Sequence, residues 1–109
     1  MSFIFKEEEG VILYKNKNLP IIMASLEYDL LRVLLSFPNE RIDQEDILEK
    51  LDSQYSELGK EKRQVAKKQL FDTYKRLNKR LKQHFGIKEL ISKIKGTPYY
   101  RLSIPNNDK

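Results

Sequence analysis

Ten of the chain's 21 lysines and arginines fall within residues 60–84, where Glu61 and Asp72 are the only carboxylates. Paired surface helices normally interleave both signs, and like charges three or four positions apart repel one another. A segment this one-sided raises the local potential and attracts polyanions. The chemistry its spacing favours is electrostatic capture of nucleic-acid phosphates; a merely solvated helix face is the plainer reading of the same run. The rest of the charge is arranged differently. Residues 1–59 hold 6 Lys/Arg against 12 Asp/Glu, and residues 85–109 hold 5 against 2, so a net charge of +5 conceals an acidic first half.

Bond-making chemistry finds little support. With no cysteine in the chain, disulfides and thiolate metal sites are excluded. His84 is the only histidine and sits near a predicted helix C-terminus, where a cation is favourable and no second imidazole or thiolate can share a metal. Most of the 16 carboxylates occupy exposed helical positions or the Glu7-Glu8-Glu9 turn, without a partner motif for acid–base work. No glycine-rich phosphate loop is present. The expectation is a protein that is not an enzyme, with no metal and no cofactor. Composition agrees with a folded domain, at 39% hydrophobic and 34% charged residues, and 109 residues suit one domain. No apolar run reaches the roughly 20 residues of a membrane span. The N-terminus lacks the basic start and apolar stretch of a signal peptide, so a cytoplasmic protein is expected.

The elements that must position the basic segment follow from periodicity. Phe3-Ile4-Phe5, Val11-Ile12-Leu13-Tyr14 and Leu19-Pro20-Ile21-Ile22-Met23 read as three short strands of an antiparallel meander over residues 1–23. Gly10 can supply the positive φ of the first turn, and Lys15-Asn16-Lys17-Asn18 forms the second. The period then changes from two to 3.6. Leu26, Leu30, Leu31, Leu34 and Leu35 make an apolar stripe, while Glu27, Asp29 and Arg32 face elsewhere. Ser25 is the N-cap and Phe37-Pro38-Asn39 the stop. A second helix starts from Asp43, whose carboxylate can accept an orphan backbone N–H. The third and longest pattern runs from Lys60 to Phe85, with Ala66, Leu70, Tyr74, Leu77, Leu81 and Phe85 as its inner line and Gly86 placed to end it. Two strands, Leu90–Ile94 and Tyr99–Ile104, flank the turn Lys95-Gly96-Thr97-Pro98; one of Tyr99 and Tyr100 must pack inward. A polar tail occupies residues 105–109 and is expected to fray. The fold class is therefore α+β: a winged helix-turn-helix with an N-terminal meander, three helices across 25–85 and a C-terminal hairpin wing across 90–104.

From Glu27-Tyr28-Asp29-Leu30-Leu31 onward the sequence resembles the OmpR/PhoB-type effector domain of bacterial response regulators, whose first helix opens Leu-Thr-x-x-Glu-Phe-x-Leu-Leu. The likeness continues through Pro38-Asn39-Glu40-Arg41-Ile42-Asp43-Gln44-Glu45-Asp46-Ile47-Leu48, similar to the family's lead-in to helix two. Leu77-Asn78-Lys79-Arg80-Leu81 is similar to the recognition helix, and Ile94-Lys95-Gly96-Thr97-Pro98-Tyr99-Tyr100-Arg101-Leu102 to the wing. There are departures. Met23-Ala24 replaces Leu-Thr, Asn78 replaces an Arg, Pro98 replaces a wing Gly, and either the connection from Asp52 to about Gly59 is longer or helix three begins earlier.

The resemblance implies binding of double-stranded DNA, with helix three in the major groove and the wing on the neighbouring backbone or minor groove. It makes Arg76 the base reader, aligned with an arginine of the recognition helix and able to contact guanine O6 and N7 together. Gln69, Asp72 and Thr73, one turn earlier, are lesser candidates; Asp72 either accepts from cytosine N4 or holds Lys68 or Arg76 as an ion pair. Lys67, Lys68, Lys75, Lys79 and Arg80 are expected on phosphates, which give affinity without sequence information. Lys95, with Thr97 beside it, stands where the family's wing carries a groove-entering Arg. Further partners implied are RNA polymerase, through the helix two to helix three loop, and a second copy on direct repeats. A protein-interaction module using the acidic first half, without DNA binding, is the alternative. Insertion of the basic helix into an anionic membrane would pull Leu70, Tyr74, Leu77 and Leu81 from the core.

Overall fold

The structure of the protein, a computed structural model, describes residues 3–105. The expected frayed tail, from residue 106 on, lies outside them, as do residues 1 and 2. Three strands open the chain, β1 (Ile4–Lys6), β2 (Val11–Tyr14) and β3 (Lys17–Pro20), antiparallel in that order. The third was expected at Leu19–Met23, and the turn corrects it. Lys15 and Asn16 both adopt left-handed φ, at 52° and 63°, so the loop is only two residues long and Tyr14 pairs with Lys17. Two consecutive positive φ values match the twist of a tight hairpin, which starts the strand earlier and releases Ile21 to Met23 from the sheet. At the preceding turn, Gly10 takes φ 64° as expected. A Cβ there would stand 2.8 Å from the Ile21 carbonyl oxygen, which closes the site to any side chain.

Helix α1 (Leu26–Leu35) begins where expected, with the Tyr28 N–H donating to Ser25 Oγ at 3.1 Å. Helix α2 (Gln44–Leu51) is capped by Asp43, whose Oδ1 accepts from the Glu45 N–H at 2.8 Å. Between the two helices lies a strand that periodicity does not show, β4 (Arg41–Asp43). It pairs antiparallel with β6 (Tyr99–Leu102), Ile42 opposite Tyr100, and β6 pairs in turn with β5 (Ile91–Lys93). The expected hairpin wing is thus a three-stranded sheet ordered β4-β6-β5. A 3-10 turn at Tyr55–Glu57 fills the connection to α3 (Lys60–Phe85), which ends at Gly86 with φ 77°. The architecture is α+β, a winged helix with an N-terminal meander.

One apolar interior joins these elements. Leu30, Leu31 and Leu34 of α1, Ile47 of α2, Leu70, Leu77 and Leu81 of α3, Ile12 of β2 and Leu102 of β6 are all fully buried or nearly so. Of the alternating tyrosines, Tyr100 goes inward and Tyr99 outward. The Tyr100 hydroxyl is buried with no hydrogen-bond partner among the described residues. Burial, with a smaller contribution from the Tyr74 phenol, pushes its pKa up from 10.0 to about 12. A raised phenol titrates later in the folded state, so its contribution is whole below pH 10 and is lost as pH climbs toward 12. Tyr100→Phe should therefore unfold at an equal or higher temperature near neutrality, since an unpaired buried hydroxyl costs about 1–3 kcal/mol. The variant should also lose less stability than wild type between pH 10 and 12, read by thermal melts across that window. A parallel decline in both proteins would contradict the assignment.

Candidate nucleic-acid interface

Helix α3 carries the candidate surface. At about 100° per residue, the buried line Leu70, Tyr74, Leu77, Leu81 lies opposite Lys68, Asp72, Lys75 and Lys79, and all four of these are exposed. The helix starts well ahead of its buried stretch. Lys60, Lys62, Gln64 and Val65 are exposed on its first turns, while Arg63 turns back, its Nε donating to the Leu58 carbonyl at 3.0 Å, its Nη2 to the Ser56 carbonyl, and its plane lying over the Tyr55 ring. That arginine fixes the α2–α3 connection to the helix it precedes.

The expected contact residues divide into groups. Lys75 and Lys79 are exposed, Lys75 with its ammonium 5.1 Å from the Phe71 ring centroid. Lys68 pairs with Asp72 at 3.4 Å on the open surface, the ion-pair arrangement of the two open to Asp72. Lys67 is drawn inward to Glu45 at 3.0 Å, tying α3 to α2. Partial burial would raise the Glu45 carboxyl, but hydrogen bonds from Lys67 and Tyr55 and the charges of Lys67 and Arg63 outweigh it and hold the group below its usual value. Gln69 is exposed beside α1 and α2, next to Leu26 and Leu51.

Two expectations need correction. Thr73 faces the interior at 1% exposure and cannot reach a groove. Arg80 is not free to reach a phosphate in this arrangement, because its Nη1 lies 2.6 Å from Glu27 Oε1 and its Nη2 donates to the Pro20 carbonyl at 3.3 Å. Glu27 itself was expected to face away from the apolar stripe, yet its side chain is only 11% exposed. Its other oxygen accepts from Arg76 Nε at 3.1 Å, while Arg76 remains 57% exposed.

The wing is fastened alongside. Asn78 Nδ2 donates to the Ile91 carbonyl at 2.7 Å and Asn78 Oδ1 accepts the Ile91 N–H at 3.0 Å. Tyr74 meets Tyr100 edge to face at 5.3 Å between centroids. At the wing turn Lys95 is exposed, and Gly96 supplies the one positive φ, 77°, so Pro98 need not. Thr97 is engaged within the turn: its hydroxyl donates to the Ile94 carbonyl at 2.8 Å and accepts the Tyr99 N–H at 3.2 Å. Sequence reasoning passed over Phe71, an exposed apolar ring on the charged helix, and the leading cations Lys60 and Lys62, which the charge count had already marked. Among the described residues no cluster of three or more His, Cys, Asp or Glu could hold a metal, and no helix is long and apolar enough to cross a membrane. What this arrangement can do is present a line of fixed positive charge, with one guanidinium half-held among it.

No protein-family model matches the chain, and no curated protein is similar to it. Among solved structures, the C-terminal domain of the nisin resistance regulator NsrR, a lantibiotic response regulator, is similar at 24% identity and a TM-score of 0.55. That likeness covers 95% of this chain and 94% of the NsrR chain. The chain has the winged helix-turn-helix fold.

Proposed function

We propose that the chain is a sequence-specific transcriptional regulator of double-stranded DNA, with α3 in the major groove and the wing on the adjacent backbone or minor groove. The observation that carries this reading is the outward line Lys68, Lys75 and Lys79 on α3, with Arg76 exposed beside it. Fixed cations on one helix face supply phosphate contacts, and a guanidinium at their edge supplies a base contact. The likeness to a response regulator's C-terminal domain supports a regulatory role. Lys95 at the wing turn, and Gln69 and Asp72 on α3, complete the proposed contact set. A second copy on direct repeats and RNA polymerase are the proposed protein partners, and the cytoplasm the proposed compartment. No catalytic step is proposed.

Binding to random duplex DNA and to a selected oligonucleotide pool across a salt series tests this. Arg76→Ala should lower the preference for the selected site by about 1–3 kcal/mol. Lys79→Ala should weaken selected and random duplexes alike and flatten the log–log salt slope by about 0.9. Equal losses on both duplexes for Arg76→Ala would remove that residue from the reading role.

A second reading has its own observation. An open groove of about 980 Å³ is lined by Phe5, Met23 and Tyr28 together with Glu7, Glu8, Glu9 and Asp29 and the cations Lys6 and Arg32, which suits a protein-interaction module. A tight protein complex that survives high salt, from a chain that retains no DNA, would favour it.

A further inference from the structure

Arg76 does not stand alone on the surface of α3. Glu27, in the first turn of α1, holds it from 49 residues away. The two oxygens of that carboxylate are divided: Oε1 takes Arg80 Nη1 at 2.6 Å, and Oε2 takes Arg76 Nε at 3.1 Å. The two arginines are held very differently. Arg80 is also bonded to the Pro20 carbonyl and is the more covered of the pair. It anchors the carboxylate. Arg76 is engaged along its Nε edge, with Nη2 at 3.5 Å from Thr73 Oγ1, and more than half of its side chain is open.

A guanidinium reads guanine with two parallel N–H bonds to O6 and N7. When a carboxylate occupies the Nε edge, the end of the fork formed by Nη1 and Nη2 remains for that contact. The same carboxylate fixes the plane of a side chain that otherwise samples many rotamers, and it offsets the repulsion between two arginines four positions apart. A tie that served only to join α1 to α3 would be complete with Arg80 alone.

We infer that Glu27 is a positioning residue, which sets the end-on edge of Arg76 toward the base it reads and so governs sequence preference rather than affinity. The inference rests on the proposed role of α3 in reading DNA.

The test is a double-mutant cycle on the preference ratio, the affinity for a selected site divided by that for random duplex. Glu27→Gln keeps the size and one carbonyl acceptor but removes the charge. It should lower the ratio about tenfold, within the range of one lost bidentate base contact. Affinity for random duplex should hold or rise, because a negative charge near the phosphates is gone. In an Arg76→Ala background, Glu27→Gln should change the ratio no further. Arg80→Gln removes the second cation but leaves Glu27 Oε2 on Arg76 Nε, so the ratio should hold, and it keeps the idea testable should Glu27→Gln fold poorly. Far-UV circular dichroism and thermal melts establish that each variant is folded. A ratio unchanged by Glu27→Gln in a folded protein overturns the inference. So does an equal fall with and without Arg76, or an equal fall in Arg80→Gln. Wild-type protein that shows no preference among duplexes overturns the proposed function with it, whereas a preference lost in Arg76→Ala but kept in Glu27→Gln overturns the inference alone.

Discussion

Reversing the charge at Lys68, Lys75 and Lys79 together, each to Glu, should reduce duplex binding by about three orders of magnitude or more at near-physiological salt. The three side chains lie on one outward line of α3, and each lost phosphate contact removes about 0.9 from the salt slope. Each added carboxylate also repels the phosphate that its lysine would have contacted. The fold should survive, because all three are exposed and the Lys68–Asp72 pair that is lost lies on the open surface, where such pairs contribute at most about 1 kcal/mol. The same reversal at Lys6 and Lys15, on the meander, alters net charge without touching α3 and should leave most binding intact. Fluorescence anisotropy with labelled duplex reads both. Comparable losses in the two variants would mean that net charge, and not the helix face, holds the DNA.

Tyr74→Ala should cost about 3–5 kcal/mol of stability, in the range of aromatic truncations in a core. The Tyr74 ring is buried between Phe71, at 5.4 Å, and Tyr100, at 5.3 Å, both edge to face. Aromatic contacts of this geometry add about 0.5–1.5 kcal/mol each beyond the area they bury. In a domain near this size each kcal/mol moves the midpoint by about 4–8 °C, so a fall of well over ten degrees is expected in a thermal melt. Tyr74→Phe keeps the ring and removes only the hydroxyl, which burial and the charge of Glu89 make harder to ionise; its melting temperature should stay close to wild type. If both variants fall equally, the hydroxyl and not the ring is the source of stability.

The helices were legible because their signals are local. An apolar line every three or four residues and a glycine in the left-handed region define α3 at both ends, and Ser25 and Asp43 cap the first turns they were expected to cap. Strand β4 was not legible. Its three residues have no period of their own and exist as a strand only through β6, nearly 60 positions later. The third strand of the meander was misplaced because a two-residue turn and a four-residue turn share the same Lys and Asn letters until the backbone chooses positive φ.

The candidate site divides in the same way. Which lysines point outward follows from helical angle, and Lys68, Lys75 and Lys79 are exposed where the angle puts them. Thr73 borders the apolar line and is small enough to be taken inside, a choice made by the neighbouring helices. The partners of Arg76 and Arg80 could not be read locally. Glu27 stands in an acidic first turn that looks like ordinary helix-dipole compensation; only the fold shows that it is covered by two cations from the far end of the chain.

Asn78, at the position where the resembling family carries an arginine, bears on how copies of this protein behave in concentrated solution. Strand β5 is an outer strand of the wing sheet, and exposed strand edges invite pairing with the edges of other chains. The Asn78 amide occupies both the N–H and the C=O of Ile91, imitating a neighbouring strand for one rung. The next outward rung on β5 belongs to Lys93, whose charge discourages a foreign strand. A single side chain on the helix thus covers one rung of the β5 edge against pairing with another chain, β4 being the other outer strand, and an arginine there, a donor with no acceptor, would leave the Ile91 N–H open to the next molecule.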